Sequence, residues 1–209
     1  MSLLNGHLHN YLTETPEKNL VVINDLFRND FSDVDMVIIS SQQGCGGTHL
    51  LQLIGKQLIK ENNSVCCVSG ENLVRIFLSE KEALEQYLKQ QSYFLVDDLY
   101  YLKHHLDCFV WLKLFLKTFI LNGGRFIFTN TDTNLSSDDW LKEIGKHKMI
   151  EITSTYPSVE ILKQIALEQL PTWLVDKHFD EVYGRSSCTR ELLGILITYE
   201  ARYKLGLTI

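Results

Sequence analysis

The chain has 209 residues, of which 45% are hydrophobic and 11% aromatic, and its formal net charge at pH 7 is −6. This composition supplies a buried core and excludes a disordered chain, while the acidic balance argues against broad contact with a nucleic-acid backbone. Five cysteines without a CxxC pair, together with no signal peptide and no apolar run of about 18 residues, predict a soluble cytoplasmic protein without disulfides.

Short apolar runs alternate with helical patterns over the first three quarters of the chain. Strands are predicted at 34–39, 64–68, 93–96, 125–129 and 149–152, and helices at 20–27, 49–60, 72–77, 81–90 and 104–121. Alternation of strands and helices of these lengths predicts an α/β fold with a parallel sheet that is covered on both faces.

The pattern changes after residue 154. Helical spacing continues at 159–169, 171–179 and 188–203, with no strand between these segments. We therefore predict an α/β core at residues 1–153, followed by a small all-helical subdomain at residues 154–209.

A glycine-rich loop, Ser41–Gln–Gln–Gly–Cys–Gly–Gly–Thr48, joins the first strand to the next helix. A phosphate-binding P-loop needs glycines for its backbone, a lysine for the phosphates and a Ser or Thr for Mg²⁺. The glycines and Thr48 are present, but Ser41 replaces the first glycine and Gly47 replaces the lysine. Taken alone, this loop is equally consistent with an ordinary strand-to-helix turn.

The third strand ends in two adjacent carboxylates, Asp97 and Asp98. In P-loop enzymes one such acid holds Mg²⁺ and the next orients the attacking water. Two acids that cap the following segment are a common alternative. The order of strand, glycine loop, helix and acid-ended strand nevertheless favours a nucleotide-binding ancestry.

Four segments, spread between residues 41 and 194, make the resemblance specific. GCGGTHLL at 44–51, LVDDLYYL at 95–102, FTN at 128–130 and SCTRELLG at 187–194 resemble the Walker A, Walker B, sensor I and sensor II segments of the DnaA/Hda-like AAA+ family of bacterial replication proteins. The resemblance implies a P-loop AAA+ core with a helical lid, and no DNA-binding domain after it.

The resemblance also implies roles for individual residues. Asp98 corresponds to the catalytic acid, and Thr48 and Asp97 to the Mg²⁺ side of the site. Contacts with ADP or ATP are implied for Gly44, Cys45, Gly46, Gly47, Thr48, His49, Asn130 and Arg190.

Two departures from the family pattern weaken the case for an active ATPase. Gly47 supplies no cation, and the 141–149 segment, where the family carries an arginine finger, contains lysines but no arginine. Such charges contribute several kcal/mol to a phosphoryl-transfer transition state, so we expect little or no hydrolysis. Restoring the lysine by Gly47→Lys is expected to raise nucleotide affinity where the rest of the pocket is intact.

Two hypotheses about function remain. The first is a non-hydrolysing regulator or adaptor in replication initiation, which contacts a DnaA-type AAA+ domain or a replisome component. The second is a switch that binds ADP or ATP with Mg²⁺, or a slow ATPase, of the same family. Direct DNA binding and membrane association are not expected, and a homo-oligomer stays open.

Overall fold

The computed structural model describes residues 34–41, 43–131, 144, 148–154 and 158–207, with the backbone alone at 153 and 154. The helix predicted at 20–27 and most of the 141–149 segment lie outside the described residues. No helix in these ranges is long and apolar enough to span a bilayer.

Five strands form one sheet in the order β2-β3-β4-β1-β5, and the pairs β1–β4, β2–β3 and β3–β4 are parallel. This arrangement confirms the predicted α/β fold with a parallel sheet. In the first four of these strands along the chain, runs rich in Val, Ile, Phe and Cys are buried on both faces of the sheet. The described side chains of the edge strand, β5, are exposed or half-buried. The strands are β1 Met36–Ser41, β2 Val65–Ser69, β3 Tyr93–Asp97, β4 Arg125–Asn130 and β5 Met149–Ser154.

Alternate strand residues enter two separate apolar clusters, as the two-residue period of a strand requires. On β1, Ile38 joins a cluster with Phe94 and Phe126, and Ile39 joins the opposite cluster with Leu51. The core helices that cover the sheet are α1 Gly47–Lys60, α2 Gly70–Leu88 and α3 Leu106–Leu121.

Two predicted helix boundaries differ from the structure. The segments 72–77 and 81–90 are joined in α2, where Glu80 alone has non-helical angles (φ −140°, ψ 40°). The helix predicted to begin at residue 104 begins at Leu106 because a 3-10 helix, Leu99–His104, comes before it. A hydrophobic period identifies such helices but does not distinguish a kink from a break.

The end of α3 is set by glycine. Gly123 has φ +88°, and the Gly124 amide donates to the Phe119 carbonyl at 2.9 Å, which closes the helix as predicted. The outer face of α3 is unusually apolar, since Leu106, Leu114 and Leu121 are 69%, 61% and 81% exposed.

The C-terminal helices are α4 Val159–Gln169, α5 Thr172–Tyr183 and α6 Thr189–Lys204. They share their own apolar cluster, which includes Leu162, Phe179 and Leu192. Spatial contacts divide the described residues into two compact units between Thr153 and Ser154, and loop residues 43–46 group with the second unit.

Candidate nucleotide-binding site

The glycine-rich loop between β1 and α1 contains two left-handed glycines. Gly44 has φ +80° and Gly46 has φ +93°, a region that costs glycine little and other residues more. Gly46 is exposed, and a Cβ built on it meets nothing within 4 Å. The space on the side-chain side of Gly46 is therefore open.

Gly47 is the first residue of α1, and the space beside it is filled by Ser41. A Cβ built on Gly47 overlaps the Ser41 Oγ and lies 3.0 Å from the Ser41 Cβ. Ser41, the last residue of β1, is only 9% exposed. Ser41 and Gly47, the two residues that depart from the P-loop pattern, are therefore neighbours in space. The sequence alone does not show this, because the two residues are separated along the chain.

Three further residues of the predicted site lie in or beside the first turn of α1. Thr48 and His49 are half-buried there, and Cys45 is buried in the loop. Burial and nearby Lys56 lower the pKa of His49, which favours a neutral imidazole. Burial and nearby Cys188 raise the pKa of Cys45, so this thiol is not activated for reaction.

The acid pair lies at the end of β3 and is organised by a residue of β4. The buried Thr129 hydroxyl donates to the Asp97 Oδ1 at 2.6 Å and accepts the Asp98 amide hydrogen at 2.7 Å. Asp98 has φ 52°, a left-handed conformation that aspartate tolerates better than most residues. Thr129 was not among the predicted site residues, although its polar side chain at the end of an apolar strand was a signal.

Asn130 is the last residue of β4 and is 1% exposed. Its register partner on β1 is Ser40, the residue immediately before Ser41. Because β3, β1 and β4 are parallel neighbours, their carboxyl ends share one edge of the sheet. The sheet thus brings Asp97, Asn130 and the start of the glycine loop to the same edge.

Arg190 is the second residue of α6 and lies against the loop within the second unit. A Cβ built on Gly44 is 3.4 Å from the Arg190 Cβ and 2.5 Å from the Cys188 Sγ. Within the described residues no carboxylate pairs with this arginine. A cation in the first turn of a helix is unfavourable by itself, so an anion bound nearby would stabilise it.

The first turn of α6 is held by Glu191. Its carboxylate accepts the Ser187 amide at 2.7 Å and the Ser187 hydroxyl at 2.8 Å, and both bonds lower the pKa of Glu191. These bonds fix the start of the helix that carries Arg190.

Gly46 and Arg190 both belong to the second unit and are residues of the kind that bind a phosphate group, but the glycine-rich loop supplies no lysine to neutralise it. Among the described residues no group of three His, Cys, Asp or Glu could hold a metal ion. Mg²⁺ at Thr48 and Asp97 would therefore need ligands from the nucleotide and from water.

The sequence matches no protein-family profile and no curated protein. Solved structures do match. The AMPPCP-bound DnaA of Aquifex aeolicus is 17% identical with a TM-score of 0.69, over 87% of this chain and 60% of that one. Domain III of Thermotoga maritima DnaA is 18% identical with a TM-score of 0.70, over 91% and 85%.

A third match is a DnaA bound to AMPPCP and single-stranded DNA, at 18% identity and a TM-score of 0.66, over 95% of this chain and 66% of that one. This chain thus spans less than two thirds of the length of the Aquifex DnaA structure. The order of the strands, the position of the glycine loop and these structural matches lead to one conclusion: the chain has the AAA+ fold of the DnaA replication initiators.

Proposed function

We propose that this chain is a DnaA-like AAA+ protein that regulates or assists replication initiation through contacts with other proteins, without efficient ATP hydrolysis. The observation that carries the proposal is the Ser41 side chain, which occupies the space beside Gly47 where the lysine stem of a P-loop begins. Loss of such a phosphate clamp costs several kcal/mol in the transition state, or orders of magnitude in rate.

The proposed replication role rests on the DnaA-like fold and on the polar residues that remain at the ends of β3 and β4. Asp97 and Asp98 still share the Thr129 hydroxyl, and Asn130 is still buried at the same edge of the sheet. Buried polar groups of this kind are costly unless they are paired, so their presence favours descent from a working nucleotide site.

The proposed mode of action is protein contact. Large exposed aliphatic side chains follow one face of α3, which is typical of surfaces that contact other proteins. The net charge of −6 disfavours direct contact with DNA. A DnaA-type AAA+ domain or a replisome component is the proposed partner, and association of the chain with itself is the alternative.

Hydrolysis is tested with the purified protein and labelled ATP. We expect no ATP turnover above background in the unaltered chain or in Asp98→Asn. Asparagine suits this test because, like aspartate, it tolerates the left-handed backbone conformation of residue 98. Turnover that is present in the unaltered chain and lost in Asp98→Asn would contradict the proposal, because only a working site depends on that carboxylate.

The position of Arg190 beside Gly44 of the glycine-rich loop favours a second candidate function, a switch that binds ADP or ATP without hydrolysis. This arginine and the open backbone at Gly46 lie on residues of the same compact unit. A bound phosphate would join the two, so that nucleotide would stabilise the start of α6.

Equilibrium binding of labelled ADP and ATP separates the candidates. In the switch, Arg190→Ala weakens binding at least about tenfold, while Arg202→Ala, an exposed arginine in the last turn of the same helix, has no effect. Absence of binding at millimolar nucleotide would eliminate the switch and leave the nucleotide-free regulator.

A further inference from the structure

We propose that Ser41 and Gly47 are a coupled pair that determines what the phosphate loop can carry. In this pair, the serine disfavours a side chain at position 47, so the loop offers an anion its backbone and the Thr48 hydroxyl but no cation of its own. The inference deepens the second candidate under the proposed function, the nucleotide-binding switch, and rests on it, since it treats the loop as a phosphate site.

The contact is fixed by the backbone rather than by one rotamer. Rotation about the Cα–Cβ bond of Ser41 moves its Oγ, but the distance of 3.0 Å between its Cβ and a Cβ at position 47 remains. This distance is shorter than nine in ten real Cβ contacts. A side chain at position 47 therefore requires that one of the two backbones moves by a few tenths of an ångström.

Neither backbone is free to move without cost. Ser41 follows Ser40, which is in register with Asn130 on β4, so its position is set by the sheet. Gly47 begins α1, whose Leu51 and Ile54 are 0% and 2% exposed in the core. A shift of either backbone would be transmitted to the sheet or to the packed core, because close-packed interiors do not absorb such displacements. A side chain at position 47 is therefore expected to strain the segment between Ser41 and Gly47.

The same geometry defines which combinations are compatible. Glycine at 41 leaves room for lysine at 47, as in a P-loop, and serine at 41 is compatible with glycine at 47, as in this chain. Serine at 41 together with a side chain at 47 forces the two Cβ atoms apart and is therefore unfavourable. The coupling predicts that Gly47→Lys alone does not raise nucleotide affinity and that two changes are needed.

The test is a double-mutant cycle on the full chain, with thermal stability and AMPPCP affinity as the two readouts. Gly47→Ala should lower the Tm by about 5 °C or more, and adding Ser41→Gly should recover most of that loss. Gly47→Lys alone should not raise AMPPCP affinity, whereas Ser41→Gly with Gly47→Lys should raise it at least about tenfold over the unaltered chain.

A matched control is Gly194→Ala, because a Cβ there meets nothing within 4 Å. Combined with Ser41→Gly, this substitution should give an additive result. The inference is overturned when Gly47→Ala is as stable as the unaltered chain, when Ser41→Gly fails to recover its stability or folding, or when Gly47→Lys alone gains as much affinity as the double variant.

The stability readout separates this inference from the proposed function. ATP turnover by the unaltered chain would contradict the proposed function and leave the coupling in stability unchanged. Additive stabilities in the cycle would overturn the inference and leave the absence of turnover unchanged.

Discussion

At the scale of single residues, Thr129 links the end of β4 to the acid pair at the end of β3. Its hydroxyl donates to the Asp97 carboxylate and accepts from the Asp98 amide, and it is 1% exposed. One hydroxyl therefore orients a buried carboxylate and stabilises the left-handed backbone of the next residue.

Replacing this hydroxyl with a methyl group should be costly. We expect Thr129→Val to lower the free energy of unfolding by about 1–3 kcal/mol, because the buried Asp97 carboxylate and the half-buried Asp98 amide each lose a partner. Denaturant unfolding with an unchanged m-value measures the loss. Thr118→Val, on the exposed face of α3, should change stability by no more than about 0.5 kcal/mol; equal effects of the two substitutions would refute this role of Thr129.

The glycine-rich loop with Gly47 and the acid pair with Asp97 were predicted from local patterns, whereas Asn130 was predicted from the family resemblance alone. The structure places these residues at the start of α1 and at the ends of β3 and β4. The contacts of Thr129 and Ser41 could not be predicted in this way. They depend on which strand lies beside which, and on distances across a loop, neither of which the pattern of one segment contains.

At the scale of helices, two exposed glycines show how position decides the effect of the same substitution. Gly123 lies just after α3 with φ +88°, and Gly194 lies inside α6. A Cβ built on either residue meets nothing within 4 Å. Steric contact is thus absent from both, and only the backbone conformation differs.

We therefore expect opposite signs for the two alanine substitutions. Gly194→Ala should raise the free energy of unfolding by about 0.5–1 kcal/mol through lower entropy of the unfolded chain. Gly123→Ala should lower it by about 1 kcal/mol, because alanine disfavours the left-handed region. Chemical denaturation of both variants provides the measurement, and a shared sign would show that the backbone conformation at one of the two sites differs from the one described.

The presence of the core helices was predicted more accurately than their kinks and the segments that connect them. The apolar spacing identified α1 and α3 to within a few residues, because burial of one face repeats every helical turn. The non-helical angles at Glu80 and the 3-10 helix before α3 have no such repeating signal. They result from how the connecting residues fit over the sheet.

At the scale of the whole molecule, the five cysteines report on the packing of both compact units. Cys45, Cys66, Cys67 and Cys108 are buried, and Cys188 is half-buried. Burial raises the pKa of Cys108 to about 12, and burial with nearby Cys67 raises the pKa of Cys66 well above its ordinary value. Buried neutral thiols of this kind react slowly with thiol reagents.

We expect one thiol, Cys188, to react rapidly with a disulfide reagent in the native protein at pH 8, and all five to react in guanidinium chloride. The unfolded thiols ionise near pH 8.5, whereas the buried ones stay neutral, so stability should fall as the pH rises above that value. Cys188→Ser should abolish the rapid phase. Rapid modification of Cys66 or Cys108 would contradict the described core.

The contact between Ser41 and Gly47 also constrains the history of the loop. In a loop that descends from one with glycine at 41 and lysine at 47, the proposed coupling favours loss of the lysine before serine replaces the glycine at 41. With serine present, the coupling also makes a single mutation back to lysine unfavourable, so the lysine would be regained only together with a change at position 41.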